Sequence, residues 1–282
     1  MHECKGKVLT MNASNLIEEL RPWLDEKIGA KLDLIDSDPI PVVEAEEGSP
    51  NPLFAARVGE RGLVTTQRQW LEQLTPIVAN LTLEELFSTF GGYELARVLL
   101  PDGCGVWGPS WFYVGDESCF RDAGDDRPVQ LSAEELAETV DHRIFWHCFE
   151  DEAMTGFGIF EDGKLASLAA VQAEDDRIWE IGIDTAPEAK GRGLGRAVTS
   201  AAGRWILENN RLIFASTAPW NVRSARTLRS VGLQFIMSVM IGMPGPFYAP
   251  PQPLGTPYPG AEVYNYYPDW AINKEIKPPL RD

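Results

Sequence analysis

The chain has 282 residues, 44% of them hydrophobic and 24% charged, which is a globular composition and excludes a disordered or fibrous protein. Its length suggests two domains, or one domain with long additions. A net charge of −17 argues against binding of the whole molecule to the phosphate backbone of DNA or RNA, and no apolar run reaches the roughly 18 residues of a membrane span.

The first 127 residues predict a mixed α/β region in which no motif points to a particular chemistry. Apolar residues at helical spacing indicate the first helix, Gly59-Glu60-Arg61-Gly62 indicates a hairpin turn, and the aromatic run Trp111–Val114 indicates a strand. The predicted elements are a helix at about 14–29, a loop at 36–53, a β-hairpin at 53–66, helices at about 67–79 and 83–99, a strand at 111–114 and a linker at 115–127.

From residue 128 onward the pattern of elements is clearer. Ser132 and Glu135 form a capping box that opens a helix, and Asp162-Gly163 is typical of a hairpin turn. The remaining predicted elements are strands at 129–131, 155–160, 165–173, 178–185, 212–217 and 233–241, a glycine-rich loop at 187–195, and helices at 195–209 and 221–231, the second followed by Gly232.

The residues after Met243 differ in kind from the rest. They hold ten of the 21 prolines, with aromatic residues between them, so they predict a segment without regular structure that wraps over the body or a partner. We therefore predict three regions: 1–127 of unknown role, 128–243 as the domain with the chemistry, and 244–282 as a proline- and aromatic-rich tail.

The four cysteines show neither C-x-x-C spacing nor a paired framework, and the three histidines add no ligand pair at zinc-finger spacing. These residues predict reduced thiols in a cytoplasmic protein and no metal site. The N-terminal residues, beginning Met1-His2-Glu3, lack the apolar core of a secretory signal.

A local cationic stretch interrupts the acidic chain. Between Pro187 and Ser230 there are eight basic and two acidic residues, a net charge of +6, which leaves −23 for the rest. Such a stretch indicates either a small polyanionic ligand or a solvated helix face that pairs with its acidic surroundings.

The loop at 187–195 is the feature that points to a ligand. Three alternating glycines, Gly191, Gly193 and Gly195, precede a helix, so backbone N–H groups and the helix N-terminus could hold a pyrophosphate. A loop that merely turns the chain would explain these glycines but not the interleaved Lys190, Arg192 and Arg196. No P-loop string is present, and the G-x-G-x-x-G string at Gly103–Gly108 lies between a helix and a strand, which favours a turn.

The residues Lys190-Gly191-Arg192-Gly193-Leu194-Gly195, after Thr185-Ala186-Pro187, resemble the acyl-CoA-binding motif of the GNAT superfamily of N-acyltransferases. Asn221, Ser224 and Gly232 resemble a second family motif, in which Leu233 replaces a phenylalanine and Leu228 stands where many relatives carry a tyrosine. The resemblance covers about residues 128–243. It implies a mixed α/β GNAT fold, in which a central mixed sheet is flanked by helices.

The resemblance also implies how acetyl-CoA would be bound. The backbone of Gly191 to Arg196, with the charge of Lys190 and Arg192, would hold the pyrophosphate. Ile183, Asp184 and Thr185, at the end of their strand, would pair with the pantetheine arm where this strand splays from strand 212–217. Asn221 and Ser224 would lie near the pantetheine or thiol, although Asn221 could equally be a plain helix cap.

For catalysis, the resemblance implies that the backbone N–H of Ile183 polarises the thioester carbonyl and that a carboxylate on the same strand is the general base. Glu180 is the first candidate, on the expectation that Gly182 leaves open space beside it, and Asp184 is a weaker one. Glu180 could also be an outward-facing strand residue. His147, within Phe145–Phe149, could supply an imidazole from the substrate side or belong to a core aromatic cluster. Leu228 removes the usual proton donor.

These observations predict an N-acetyltransferase that transfers an acetyl group from acetyl-CoA to an amine by direct attack on the thioester. The acceptor would be a small molecule or a peptide, with no nucleic acid, membrane or metal involved, and the acidic charge would favour a cationic amine. The alternative is a non-catalytic CoA-binding or regulatory module. The sequence leaves the acceptor and the oligomeric state open.

Overall fold

The computed structural model describes residues 11–149, 151–245, 247–248 and 275–276. The chain divides into two compact units. The first comprises Met1–Trp111, Ala218–Asn221 and Ile236–Asp282, and the second Phe112–Thr217 and Val222–Phe235. The limits predicted for three regions, at 127/128 and 243/244, stay a prediction. The expected course of the tail and the N-terminal residues lie outside the described residues, apart from two short strands.

The first unit contains helices and strands of moderate length. Its elements are α1 (Met11–Ile28), β1 (Val42–Glu44), β2 (Leu53–Val58), β3 (Arg61–Thr66), α2 (Arg68–Ala79), α3 (Leu83–Leu86), α4 (Thr89–Leu99) and most of β4 (Cys104–Gly115). Its strands β1, β3 and β2 lie in that order, and β10 (Gln234–Pro244) pairs antiparallel with β2 over Ser238–Ile241. Apolar side chains of β2, β3, α2 and α4 form its core, with Leu53, Leu74 and Leu95 fully buried. The hairpin predicted at 53–66 is confirmed.

Three local predictions in the first unit are wrong. The helix predicted at 83–99 is broken, because the Ser88 side chain accepts a hydrogen bond from the Gly91 N–H and starts α4 anew. The loop predicted at 36–53 contains β1, which is held by parallel pairing with β3. The string Gly103–Gly108 is not a turn: only Gly103 is left-handed before β4 begins, and β4 is longer than the predicted strand at 111–114.

The second unit carries the glycine-rich loop. Its further elements are β5 (Val129–Ser132), α5 (Ala133–Thr139), β6 (Thr155–Glu161), β7 (Lys164–Ala173), β8 (Ile178–Thr185), α6 (Leu194–Glu208), β9 (Leu212–Thr217) and α7 (Val222–Ser230). Strands β5 to β8 are successive antiparallel neighbours, and β9 lies parallel to β8 on its other side. Outside these units' main elements, β11 (Phe247–Tyr248) pairs antiparallel with β12 (Glu275–Ile276).

Local sequence signals explain most of the second unit. Ser132 and Glu135 form the predicted capping box, and Asp162 and Gly163 both adopt positive φ in the β6–β7 turn, as an Asp-Gly hairpin requires. Helix α6 packs on β6, β7 and β8, and the ring of Trp205 stacks on Trp179 of β8 at 5.0 Å. The mixed α/β class is confirmed, since parallel and antiparallel pairs occur together with helices on the sheet.

Residues 115–127, predicted as a linker, pack within the second unit. Ser200 of α6 donates to Asp122 and accepts from the Ala123 N–H, and the Arg121 N–H donates to the Val231 carbonyl. Any side chain at Gly232 would collide with the Cys119 carbonyl oxygen. The acidic, glycine-containing sequence of this segment predicts a linker, whereas the Asp122 side chain and the Ala123 N–H bind it to α6.

Candidate active site

Strand β8 pairs with β7 along most of its length but with β9, on its other side, over only three residues. Its pairing with β7 extends from Trp179 to Thr185, whereas its parallel pairing with β9 covers only Ile178–Glu180 against Leu212–Phe214. Beyond that point the last five residues of β8 and the last three of β9 do not pair with each other. The two strands therefore part, as the resemblance implied, at the position of Glu180.

The register also fixes which backbone groups face the opening. The Ala186 N–H donates to Ala166 and the Glu174 N–H donates to the Ile178 carbonyl, which sets the phase of the antiparallel ladder. Because hydrogen-bonded and non-hydrogen-bonded pairs alternate, residues 180, 182 and 184 bond to β7. The backbone groups of Ile181 and Ile183 consequently point away from β7, toward the side where β9 is no longer paired.

Glu180 sits at the mouth of this opening with its carboxylate held by polar neighbours. Gln172 of β7 donates to Glu180 at 3.0 Å and to Glu174 at 3.3 Å, and the hydroxyl of Ser216 on β9 donates to the other Glu180 oxygen at 3.3 Å. Burial raises the pKa of Glu180 to about 7, and the charge of Glu174 acts in the same direction against the two hydrogen bonds. A carboxylate in this state can accept a proton near neutral pH.

The expectation of open space at Gly182 is wrong. A side chain at this position would collide with the carbonyl oxygen of His147, which lies against the glycine backbone. Segment 145–149 is fastened here at further points. The Cys148 thiol lies 3.5 Å from the Gly182 oxygen and 3.7 Å from the Leu168 oxygen. Glycine is needed at 182 because another backbone crosses it.

Asp184 is occupied by the same segment. Its carboxylate accepts the His147 backbone N–H at 2.7 Å and lies 2.8 Å from Nδ1 of the His147 ring. Phe145 and Cys148 are buried, but Trp146 and His147 are exposed, with their rings 3.4 Å apart between centroids. Segment 145–149 is therefore not the core aromatic cluster that its sequence had suggested.

The glycine-rich loop leaves its backbone uncovered. Gly191 and Gly193 adopt φ of +83° and +80°, where glycine is favoured, and a Cβ on either would meet nothing within 4 Å. Gly193 begins α6 without a side-chain cap, so the first N–H groups of this 15-residue helix have no side-chain acceptor at that position. Gly195 lies close to Thr185, since its Cβ would be 3.4 Å from the Thr185 hydroxyl. The loop and the end of β8 thus meet.

The basic residues of the loop are not equivalent. Lys190 and Arg196 are exposed, and within the described part of the chain no ion pair involves either. Arg192 instead pairs with Glu161 at the end of β6 and also donates to the Ala189 carbonyl. The sequence predicted three free charges around the loop, and Glu161 partly neutralises one of them.

The second predicted motif lies around α7. Asn221 is exposed and directly precedes this helix, Ser224 is half-buried in its first turn, and Leu228 is fully buried. Gly232 has φ of +93° after the helix, as its predicted position requires. Asn221 and Ser224 remain predicted CoA contacts.

Sequence reasoning missed the partners of the two acids on β8. Gln172 directly follows the apolar run 168–171 of β7, and Ser216 directly follows the apolar run 212–215 of β9, and these polar positions were the available signal. The pairing of His147 with Asp184 joins residues 37 apart and had no signal in the sequence.

Comparison with known proteins identifies the domain. Residues 117–233 match the model of the GNAT acetyltransferase family. These residues are a GNAT acetyltransferase domain. The match covers the second unit's loop, both of its motifs and Glu180, so the resemblance drawn from the motifs is confirmed.

Solved structures with similarity to the chain include several named as GNAT or GCN5-related acetyltransferases. They include a GCN5-related N-acetyltransferase from Kribbella flavida, with 21% identity over 54% of this chain and 64% of that chain at a TM-score of 0.41. A GCN5-related N-acetyltransferase-like protein from Streptococcus suis has 16% identity over 53% and 66%, at 0.39. An acetyltransferase of the GNAT family from Colwellia psychrerythraea has 12% identity over 83% and 98%, at 0.40. The match thus spans just under two thirds of the first two proteins. No curated protein matches the chain.

The described residues contain no group of three or more His, Cys, Asp or Glu side chains that could hold a metal ion. No helix among them is long and apolar enough to cross a membrane. Cys104, Cys119 and Cys148 are free and buried, and burial raises the pKa of the Cys104 and Cys119 thiols to about 11.

Proposed function

We propose that the GNAT domain transfers an acetyl group from acetyl-CoA to an amine by direct attack of the amine on the thioester. The observation that carries the proposal is the coincidence of two openings on one strand. β8 loses its partner β9 at Glu180, and five residues later the chain enters a loop whose backbone is uncovered. An extended acyl-CoA needs a slot for its arm and an anion site for its pyrophosphate, and both adjoin β8.

In this proposal the ends of the cofactor are bound by different forces. The N–H groups of Gly191 to Arg196 and the N-terminus of α6 hold the pyrophosphate, assisted by Lys190. Ile183, Asp184 and Thr185 line the pantetheine arm, which pairs with the backbone edge that β9 leaves free, and Asn221 and Ser224 lie near its thiol. The charge-assisted contacts give affinity, and the strand-like pairing sets the position of the thioester.

Catalysis then requires a base for the amine and a hydrogen-bond donor to the oxygen of the thioester carbonyl. The Ile183 N–H, which faces the opening, polarises the thioester carbonyl. Glu180 accepts a proton from the attacking amine. The same carboxyl group then gives this proton to the departing thiolate, because Leu228, at the position where many relatives carry a tyrosine, is buried and has no ionisable proton. Gln172 and Ser216 keep the Glu180 carboxylate in place. Three buried free thiols suit a reducing, cytoplasmic environment.

The test measures binding and turnover on the same protein. CoA is titrated by calorimetry, and acetyl-CoA is then offered with polyamines, amino acids, aminoglycosides and peptide N-termini, with release of the free CoA thiol as the readout and protein-free mixtures as the control. Binding together with acetylation of at least one amine supports the proposal. Binding without turnover of any amine would instead favour a CoA-binding module, the reading suggested by Leu228, and the absence of binding would refute both.

A further inference from the structure

A histidine–carboxylate pair lies on the same face of β8 as Glu180. Side chains alternate along a strand, so Glu180, Gly182 and Asp184 share one face, while Trp179 on the opposite face stacks on α6. Asp184 binds the ring of His147, and the two acids are four residues apart, about 13 Å along the strand. This face therefore carries two groups that can take up a proton.

The contacts of His147 fix the orientation of its ring. Nδ1 lies 2.8 Å from Asp184, so in the neutral ring the proton on Nδ1 is donated to this carboxylate and Nε2 keeps its lone pair. Asp184 is only 14% exposed, whereas the His147 side chain is 41% exposed, so the ring is accessible to a small amine and to water. Within the described residues Asp184 is the one acid at ion-pair distance from this ring.

Fastening the segment does not require the imidazole. The His147 backbone N–H already binds Asp184, its carbonyl oxygen already covers Gly182, and the Cys148 thiol is held by two carbonyls. The next residue, Phe149, has φ of +47°, a conformation that a bulky side chain rarely adopts. The bond between Nδ1 and Asp184 is therefore additional to the bonds that hold the segment, and it orients a titratable ring.

Amine acetylation releases two protons from the acceptor nitrogen, and the proposed site otherwise has one base. An alkyl amine arrives at neutral pH as R–NH3+ and must become R–NH2 before it can attack. The second proton leaves when the nitrogen has bonded to the acyl carbon. The thiolate takes one of the two protons, and the other goes to solvent.

We propose that His147 is an acid–base catalytic residue that removes the first of these protons, with Asp184 as its positioning residue. Nε2 accepts a proton from R–NH3+ and gives R–NH2; the imidazolium, stabilised by Asp184, then returns this proton to water. Glu180 accepts the second proton when the C–N bond forms and gives it to the thiolate as the C–S bond breaks. The sum is R–NH3+ and acetyl-CoA giving the N-acetyl amine, CoA thiol and one proton. This inference rests on the proposed acetyltransferase function.

The test uses two amines that differ in protonation at neutral pH. Ethylamine is an ammonium ion there, whereas 2,2,2-trifluoroethylamine is mainly neutral and needs no removal of the first proton. For His147→Gln we expect kcat/KM with ethylamine to fall about 10²-fold and with trifluoroethylamine to change less than threefold. His142→Gln is the matched control, because His142 lies just before segment 145–149 and, among the described residues, forms no ion pair with Asp184; it should leave both rates unchanged.

A second measurement examines the pair without turnover. Nitrogen NMR of the imidazole should show the proton of neutral His147 on Nδ1 in the wild-type protein and a mixture of tautomers in Asp184→Asn. Equal rate losses for both amines in His147→Gln, or no loss for either, overturn the inference while the acetyltransferase function stands. Failure of the wild-type protein to acetylate any amine overturns both.

Discussion

Two stretches of this chain hold three glycines within six residues, one at Gly103–Gly108 and one at Lys190–Gly195. In the first, the glycines run into β4, and Gly108 lies so close to β10 that a Cβ would be 2.8 Å from the Val239 carbonyl oxygen. In the second, Gly191 and Gly193 face open space before an uncapped helix. The same residue type thus serves close packing in one unit and leaves the backbone accessible in the other.

This difference separates two kinds of damage that substitution can do. Where glycine makes room for another backbone, a side chain should reduce stability. Where glycine leaves N–H groups uncovered, a side chain should reduce ligand binding. The local string cannot distinguish the two cases, because the element that follows it decides the outcome: a buried strand in one case and a helix N-terminus in the other.

The largest effect is expected at the open stretch, Lys190–Gly195, whose glycines leave the backbone uncovered. Gly193→Val should abolish measurable CoA binding, because a β-branched side chain at φ of +80° both strains the turn and occupies the space in front of the α6 N–H groups. Calorimetric titration of CoA measures it. Gly163→Val is the control, since Gly163 also has positive φ and open surroundings but lies in the β6–β7 turn. Equal CoA affinity in the two variants would contradict the role of the loop.

The loop and its glycine pattern were predictable because a helix N-terminus is a local feature of the sequence. The βαβ unit of β8, α6 and β9 was also predictable, since periodicity and a turn signal agree at each of its ends. The filling of Gly182 by the His147 carbonyl was not, because it depends on a segment 35 residues away. For the same reason the sequence does not reveal β1, whose strand pairing depends on β3, about 20 residues further along the chain.

The second largest effect concerns catalysis beside the open stretch. Glu180→Gln keeps the side-chain shape and both polar neighbours but removes the proton acceptor, so kcat/KM should fall about 10²–10⁴-fold with CoA affinity unchanged. The wild-type rate should rise with pH through about 7 and then level off, because only the ionised carboxylate accepts a proton and burial raises its pKa. In Glu180→Gln this acidic limb should flatten with trifluoroethylamine, which needs no removal of the first proton.

A melting curve controls for folding in that variant. Because burial favours the protonated form of Glu180, the folded protein loses stability as pH rises from the ordinary carboxyl pKa to about 7. The uncharged glutamine avoids this loss, so at pH 8 the variant should melt no lower than the wild type. A rate loss below about threefold with the acidic limb intact would return Glu180 to a structural role.

The third effect is expected at the packed stretch, Gly103–Gly108, whose glycines run into β4. Gly108→Ala should lower the free energy of unfolding by about 1–3 kcal/mol, since the new Cβ meets the Val239 oxygen and φ of +130° is unfavourable for alanine. Denaturant unfolding measures it. Gly103→Ala, at positive φ but in open space, should cost about 1 kcal/mol. CoA affinity of the folded protein should be unchanged in both, and a loss of affinity matching that of Gly193→Val would remove the contrast between the stretches.

The smallest effect concerns the charge beside the open stretch. Arg192 is paired with Glu161, so part of its charge is directed away from the proposed pyrophosphate site. Glu161→Gln removes a negative charge next to this site and releases the guanidinium, and it should tighten CoA binding about two- to fivefold, as expected for a partly exposed ion pair. The gain should shrink as salt is raised from 50 to 500 mM, because screening weakens exposed charges. In an Arg192→Ala background the same substitution should give a smaller gain, since no guanidinium is then released. If Glu161→Gln weakens binding instead, the ion pair holds Arg192 in its binding position. Glu161 would then support the contact between Arg192 and CoA and not weaken it.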